Sequence, residues 1–318
     1  MSRAKALWLM ALVNVLWGSQ YAIIKVTLEA IPPMLLGALR VTVATAVLWP
    51  VVLWQLRRRG ITVTSAVPRG AALRIGALGV VGVAGSSLFE YAGIQRTTST
   101  DAALLIIGEV LFTAVLGRLI LGERLGPFKR AAIIVGIVGV SVLVLGGAAT
   151  AESGGPGASL GIPARVLGDL FVLAGLLCEA VFSVAGASQA KRCAPLVVVA
   201  IANTGSLIVF LPIIAFTVAT NGQLPHVTLR GAAGVLYLSV IVSVVCYGLW
   251  FELLARAGAG LGAVSLFVQP LVGAALGLTL MAEPLTASVV VGGAIVVGAM
   301  YLARPRPSDE PRNNPATP

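Results

Sequence analysis

Residues Leu104–Glu123 read LLIIGEVLFTAVLGRLILGE, an apolar run broken only by Glu109 and Arg118 and followed by Arg124 and Pro127. In the second half of the chain, Val264–Glu283 read VSLFVQPLVGAALGLTLMAE. Sliding one stretch onto the other so that Glu109 meets Gln269 also places Val110 on Pro270, Glu123 on Glu283 and Leu125 on Leu285. Two apolar segments, each polar near the centre and closed by Glu-x-Leu, mark an internally duplicated membrane protein.

Composition points the same way. The 318 residues are 58% hydrophobic and only 11% charged, with a mean hydropathy of +0.99. A soluble domain is about a quarter charged, so a water-soluble core is excluded. A helix needs about 20 apolar residues to cross the hydrocarbon, and nearly the whole chain divides into such runs. They predict an all-α integral membrane fold of ten transmembrane helices, over 6–26, 33–56, 71–94, 98–121 and 130–148, then 167–189, 195–219, 231–254, 259–281 and 285–303. Turn chemistry separates them: Pro32-Pro33, Pro68, Gly126-Pro127, Ala194-Pro195, Asn221-Gly222 with Pro225, and Glu283-Pro284. The expected organisation is a first five-helix repeat over 1–150, a periplasmic linker over 151–166 and a second repeat over 167–303. A Pro-rich cytoplasmic tail over 304–318 is expected to be disordered. The opening apolar run is too long for a cleavable signal peptide and leads into a second span.

The net charge of +10 suggests a nucleic-acid partner only until the charges are placed. All but five of the 22 Lys and Arg residues fall on one side when the amino terminus is put inside, the exceptions being Lys25, Arg40, Arg96, Arg165 and Arg230. That bias predicts a bacterial inner (plasma) membrane protein with both termini cytoplasmic, and no nucleic-acid partner. Five spans per half is an odd number, so the halves lie in opposite senses as inverted repeats, with a central cavity near the midplane where they meet.

Catalysis finds no support. The single histidine, His226, falls in an outer loop, and Cys178, Cys193 and Cys246 share no metal-ligand spacing. No enzyme activity, cofactor or metal is expected. Gly258-x-Gly260-x-Gly262 follows no strand, so a nucleotide loop is excluded there. Gly76, Gly79, Gly82 and Gly85, and Gly273-x-x-x-Gly277, are read as close-approach surfaces between helices.

What remains is a sparse polar set inside the bilayer, where each charged side chain costs about 2.5–3.5 kcal/mol. Asn14, Trp17 and Tyr21 share one face of the first span, beside Ser19 and Gln20. The next spans carry Arg40, then Glu90 with Tyr91, then Glu109. The second half carries Glu179, Asn203, Tyr247, Trp250, Glu252 and Gln269. Structural readings stand beside functional ones. Trp8 and Trp250 can anchor at an interface, and Lys25 and Glu252 can snorkel to headgroups. Arg40 can pair with Glu90 or Glu109, or hold a substrate carboxylate. Glu109 and Glu179 are mid-span with no partner nearby in sequence.

Trp17-Gly18-Ser19 with Lys25, Pro33 through Arg40, Glu109 through Thr113, Leu121 through Leu125, Phe267-Val268-Gln269-Pro270 and Glu283-Pro284-Leu285 occur in one order across both halves. In these the chain resembles EamA-domain members of the drug/metabolite transporter superfamily, from Leu7 to Arg304. It departs from the family's usual Glu-Pro in the fourth span, where Val110 replaces proline. The resemblance implies a secondary carrier with alternating access, its helices one to four and six to nine around the cavity, and five and ten outside. The expected activity is export of small polar metabolites, amino acids or related compounds. Substrate would meet Asn14, Trp17, Gln20, Tyr21, Arg40, Glu90, Glu109, Glu179, Tyr247, Trp250 and Gln269. A carboxylate in low dielectric is a natural proton carrier, which assigns coupling to Glu109 and Glu179. The alternatives are a broad efflux carrier for drugs and toxic amphiphiles, with Trp17, Tyr21, Tyr247 and Trp250 lining a greasy pocket, and a non-transporting sensor. The expected partners are a small-molecule substrate and the lipid bilayer, with the protein a monomer or homodimer.

Overall fold

The computed structural model describes residues 3–68, 70–120, 122, 126–149, 163–190, 193–221, 227–257 and 265–303. Among these no strand occurs. Eight helices are long and apolar enough to cross a membrane, and two shorter apolar helices follow them. In chain order they are α1 (Arg3–Leu28), α2 (Pro33–Arg58), α3 (Ala71–Arg96), α4 (Ser99–Ile120) and α5 (Pro127–Ala149). The rest are α6 (Ala164–Ala190), α7 (Pro195–Asn221), α8 (Leu229–Leu236, Tyr237–Cys246 and Tyr247–Ala257 in one run), α9 (Val268–Leu280) and α10 (Ala287–Ala303). Linker residues 151–162, the tail, Glu123, His226 and the glycines at 258–262 lie outside the described residues, and α6 already begins at Ala164, inside the stretch expected to be linker.

The boundaries follow from the local chemistry. Pro33, Pro127 and Pro195 open α2, α5 and α7, where a missing N–H removes no helical bond. Thr98 and Thr228 cap α4 and α8 by accepting from the Asp101 N–H (3.0 Å) and the Gly231 N–H (3.1 Å).

Six helices are interrupted, and the interruptions come in pairs. Pro50 lies inside α2 and Pro212 inside α7. Wide π turns occupy Val80–Gly85 of α3 and Tyr237–Cys246 of α8. α4 is tightened at Leu105–Ile106, where the Gly108 N–H donates to Leu105 O (2.7 Å) and the Glu109 N–H to Ile106 O (3.1 Å). At the matching place before α9, the Gln269 N–H donates to Leu266 O (3.2 Å). Pro270 has no N–H to offer Leu266, which favours the tight turn there. The same turn forms in α4 without a proline, so Val110 does not leave that helix regular.

Packing repeats the pattern. α5 lies on α10, α2 on α7 and α4 on α9. The pairs α3–α6, α3–α7 and α4–α6 are answered by α8–α1, α8–α2 and α9–α1. Advancing every helix number by five maps this set onto itself. Small residues allow the closest crossings: a Cβ on Gly79 would strike the Ala202 backbone, and one on Gly82 would enter the Phe182 side chain. The glycine row of α3 is therefore its seam with α7 and α6.

Candidate functional site

Two places in the bundle hold its polar groups. The larger is a cavity of about 700 Å³. α1 lends it Trp17, Gln20 and Tyr21, and α2 lends Arg40. Glu90 enters from α3, Glu109 from α4 and Glu179 from α6. Tyr247 and Trp250 come from α8 and Gln269 from α9, just beyond its tight turn. The cavity runs to Lys129, Pro195 and Ala303, all at helix ends on one side of the bundle.

Of the side chains expected at the site, only Asn14 lies off this wall. It is fully buried, donating to Met10 O (2.8 Å) and to the Ser265 hydroxyl (3.0 Å), so it ties α1 to the turn before α9. Sequence reasoning passed over Ser86, Ser87, Ser243, Thr113 and Lys129, all of which line the cavity. Short hydroxyls in apolar helices usually bond their own backbone, and Lys129 reads as an ordinary connector charge.

Arg40 crosses between helices. Its Nη1 donates to the Tyr91 hydroxyl, its Nε to the Ser243 hydroxyl (3.2 Å), and its guanidinium lies 5.9 Å from the Tyr91 ring centre. It makes no ion pair with Glu90 or Glu109. Adjacent residues on a helix point about 100° apart, so Tyr91 turns to Arg40 while Glu90 faces the cavity. Ser243 is presented by the wide turn of α8, where its hydroxyl also donates to Leu238 O (2.9 Å).

Trp17 donates its indole N–H to Val242 O (3.3 Å) and packs on Tyr247 and Trp250 at 5.4 and 5.2 Å between ring centres. Trp250 is thus part of an aromatic wall rather than an interfacial anchor. Trp8, 78% exposed, faces outward. Glu90, Glu109 and Glu179 share the cavity and are near enough for their charges to interact. None has an ion-pair partner among the described residues.

The second polar region closes the opposite end of the bundle. Lys25 does not reach for headgroups but donates to Ile94 O (2.7 Å) and Thr97 O, capping the carboxyl end of α3. Glu283, from the repeated Glu-x-Leu motif, caps α4. One oxygen accepts from the Ser99 N–H (2.6 Å) and hydroxyl (2.9 Å), the other from the Thr100 N–H (2.8 Å) and hydroxyl (2.6 Å). Arg165 grips Asp101 at 2.6 and 2.7 Å, and Thr97 donates to Asp169. None of these side chains lines the cavity. The Thr-Thr-Ser-Thr-Asp run at 97–101 was the sequence signal for this cluster. Among the described residues no group of three or more His, Cys, Asp or Glu is placed to hold a metal.

Comparisons with known proteins fit this architecture. The model of the EamA-like transporter family matches residues 4–145 and 166–304. An uncharacterized transporter of Archaeoglobus fulgidus is 27% identical over 297 residues, covering 92% of this chain and 95% of that one. A probable amino-acid metabolite efflux pump of Salmonella typhimurium is 26% identical over 303 residues, covering 93% of each. A solved crystal structure superposes with a TM-score of 0.62 at 20% identity, over 95% of this chain and 97% of that one, and so shares the fold. With the family model matched along both halves, the chain belongs to the EamA-like transporter family.

Proposed function

We propose that the protein is a secondary transporter that exports small polar metabolites, amino acids or related compounds, across a bacterial inner membrane by alternating access. The observation that carries this reading is the cavity itself. Three carboxylates and an arginine face it without ion pairs among them. Charges left so in a low-dielectric interior are costly unless they have work to do. In this reading the chain crosses the membrane ten times as two inverted five-helix repeats, 1–150 and 167–303, joined by a periplasmic linker. The exchange symmetry of the helix contacts and the paired interruptions support it. With both termini cytoplasmic, the cavity opens inward and the Lys25–Glu283 end is the closed outer gate. The name of the Salmonella relative supports an amino-acid cargo.

Glu109 and Glu179 are the proposed proton carriers. The test is flux into proteoliposomes with an imposed pH gradient, using substrates first identified by comparing the media of overexpressing and deletion cells. Accumulation that follows the gradient is expected, and flux indifferent to it rules out proton coupling. The aromatic wall of Trp17, Tyr247 and Trp250 favours a second reading, efflux of amphiphilic drugs. Protection of expressing cells against dyes and cationic drugs, but not against amino-acid analogues, would select it.

A further inference from the structure

Resting on that transport reading, we infer that the cargo is a basic amino acid, carrying one carboxylate and a second ammonium group besides its α-amino group. Glu90, Glu109 and Glu179 converge on the cavity, while Arg40 is the cation within it and Lys129 stands at its end wall. The carboxylates are not spent on Arg40, whose partners are the neutral hydroxyls of Tyr91 and Ser243. A guanidinium has five N–H donors, so donors remain for one incoming carboxylate, in the fork geometry arginine favours. The carboxylates in turn call for ammonium groups, since a carboxylate on the wall of a partly enclosed cavity gains most from a charge-assisted hydrogen bond. Aromatic faces at Trp17, Tyr247 and Trp250 attract cations and offer nothing to an anion.

Cargo classes are separated by counting complements. A neutral zwitterion answers Arg40 and one carboxylate and leaves two carboxylates without a cation. A dicarboxylate leaves all but one of them so and adds a negative charge. A diamine answers two carboxylates and leaves Arg40 idle. A diamino acid answers Arg40 and two carboxylates together, which leaves one of Glu109 and Glu179 free to exchange a proton.

The test is equilibrium binding to the full-length purified protein of three labelled probes. They are L-lysine, L-norleucine (the same chain without the side-chain ammonium) and cadaverine (lysine without the carboxylate). Lysine is expected to bind at least about tenfold more tightly than either. In the double variant Glu109→Gln/Glu179→Gln a single carboxylate remains, so lysine should fall to the level of norleucine, a selective loss that a general folding defect does not produce. Norleucine binding as tightly as lysine in the wild type, cadaverine binding as tightly as lysine, or a lysine advantage over norleucine that survives in the double variant each overturns the basic cargo and leaves amino-acid transport standing. Failure of all three probes to bind overturns the amino-acid reading itself.

Discussion

At the end of the bundle where α1, α3, α4 and α6 meet, charged side chains have fixed partners. Arg165 holds Asp101, Glu283 accepts four hydrogen bonds from Ser99 and Thr100, and Lys25 is spent on the last carbonyls of α3. Deeper in α3, α4 and α6, Glu90, Glu109 and Glu179 line an open cavity with no ion-pair partner among the described residues. Both sets are polar groups carried on or beside membrane-length helices. Their surroundings separate them. A charge paired or hydrogen-bonded across helices holds them together, and a charge left facing a cavity is available to something that enters.

Substitutions at four positions strain this contrast. The largest effect is expected at the closed end. Arg165→Leu leaves Asp101, whose side chain is 1% exposed, without its cation. Breaking a buried pair on one side costs about 3–5 kcal/mol, read as a fall in the thermal midpoint of the detergent-solubilised protein. An unchanged midpoint would remove the structural half of the contrast. Glu283→Ala comes next. It strips the first turn of α4 of an acceptor shared by two backbone N–H groups and two hydroxyls, at a cost of about 2–4 kcal/mol. Glu283→Gln should fall between wild type and alanine in the same measurement, because the neutral amide offers one acceptor oxygen where the carboxylate offers two.

Glu109→Gln sits on the other side. With no partner to lose, it should move the midpoint by less than about 1 kcal/mol equivalent, while flux suffers. A destabilisation matching Arg165→Leu would make Glu109 a structural charge. Of the two cavity variants, Tyr91→Phe is expected to change transport least, since it removes one hydrogen bond from Arg40 at about 1 kcal/mol. Arg40 keeps Ser243 and the aromatic ring in that variant, so binding should persist, and its loss would show that Tyr91 sets the position of the guanidinium.

Much of this was legible in the sequence because membrane insertion writes its rules in long runs. The helices follow the expected spans to within a few residues at most ends, and Glu109, Gln269, Arg40 and Glu179 reach one cavity as their mid-span positions suggested. Four features were not legible, each for a physical reason. Asn14 shares a helical face with Trp17 and Tyr21, but that face passes from the cavity into the contact with Ser265 one turn earlier. Lys25 carries the pattern of a snorkelling lysine, yet the end of α3 offers it carbonyls at shorter reach. Arg40 found its partner in Tyr91 rather than Glu90, a choice between neighbours that spacing cannot make. The paired wide turns of α3 and α8 carry no proline to announce them.

The most direct measurement is counterflow of a labelled amino acid in proteoliposomes carrying wild-type protein, Glu109→Gln or Glu179→Gln, each checked for an unchanged thermal midpoint. The account predicts exchange by the wild type and a loss of at least about tenfold in both variants. Exchange at the wild-type rate by both would contradict it, because the carboxylates facing the cavity would then have no part in carrying cargo.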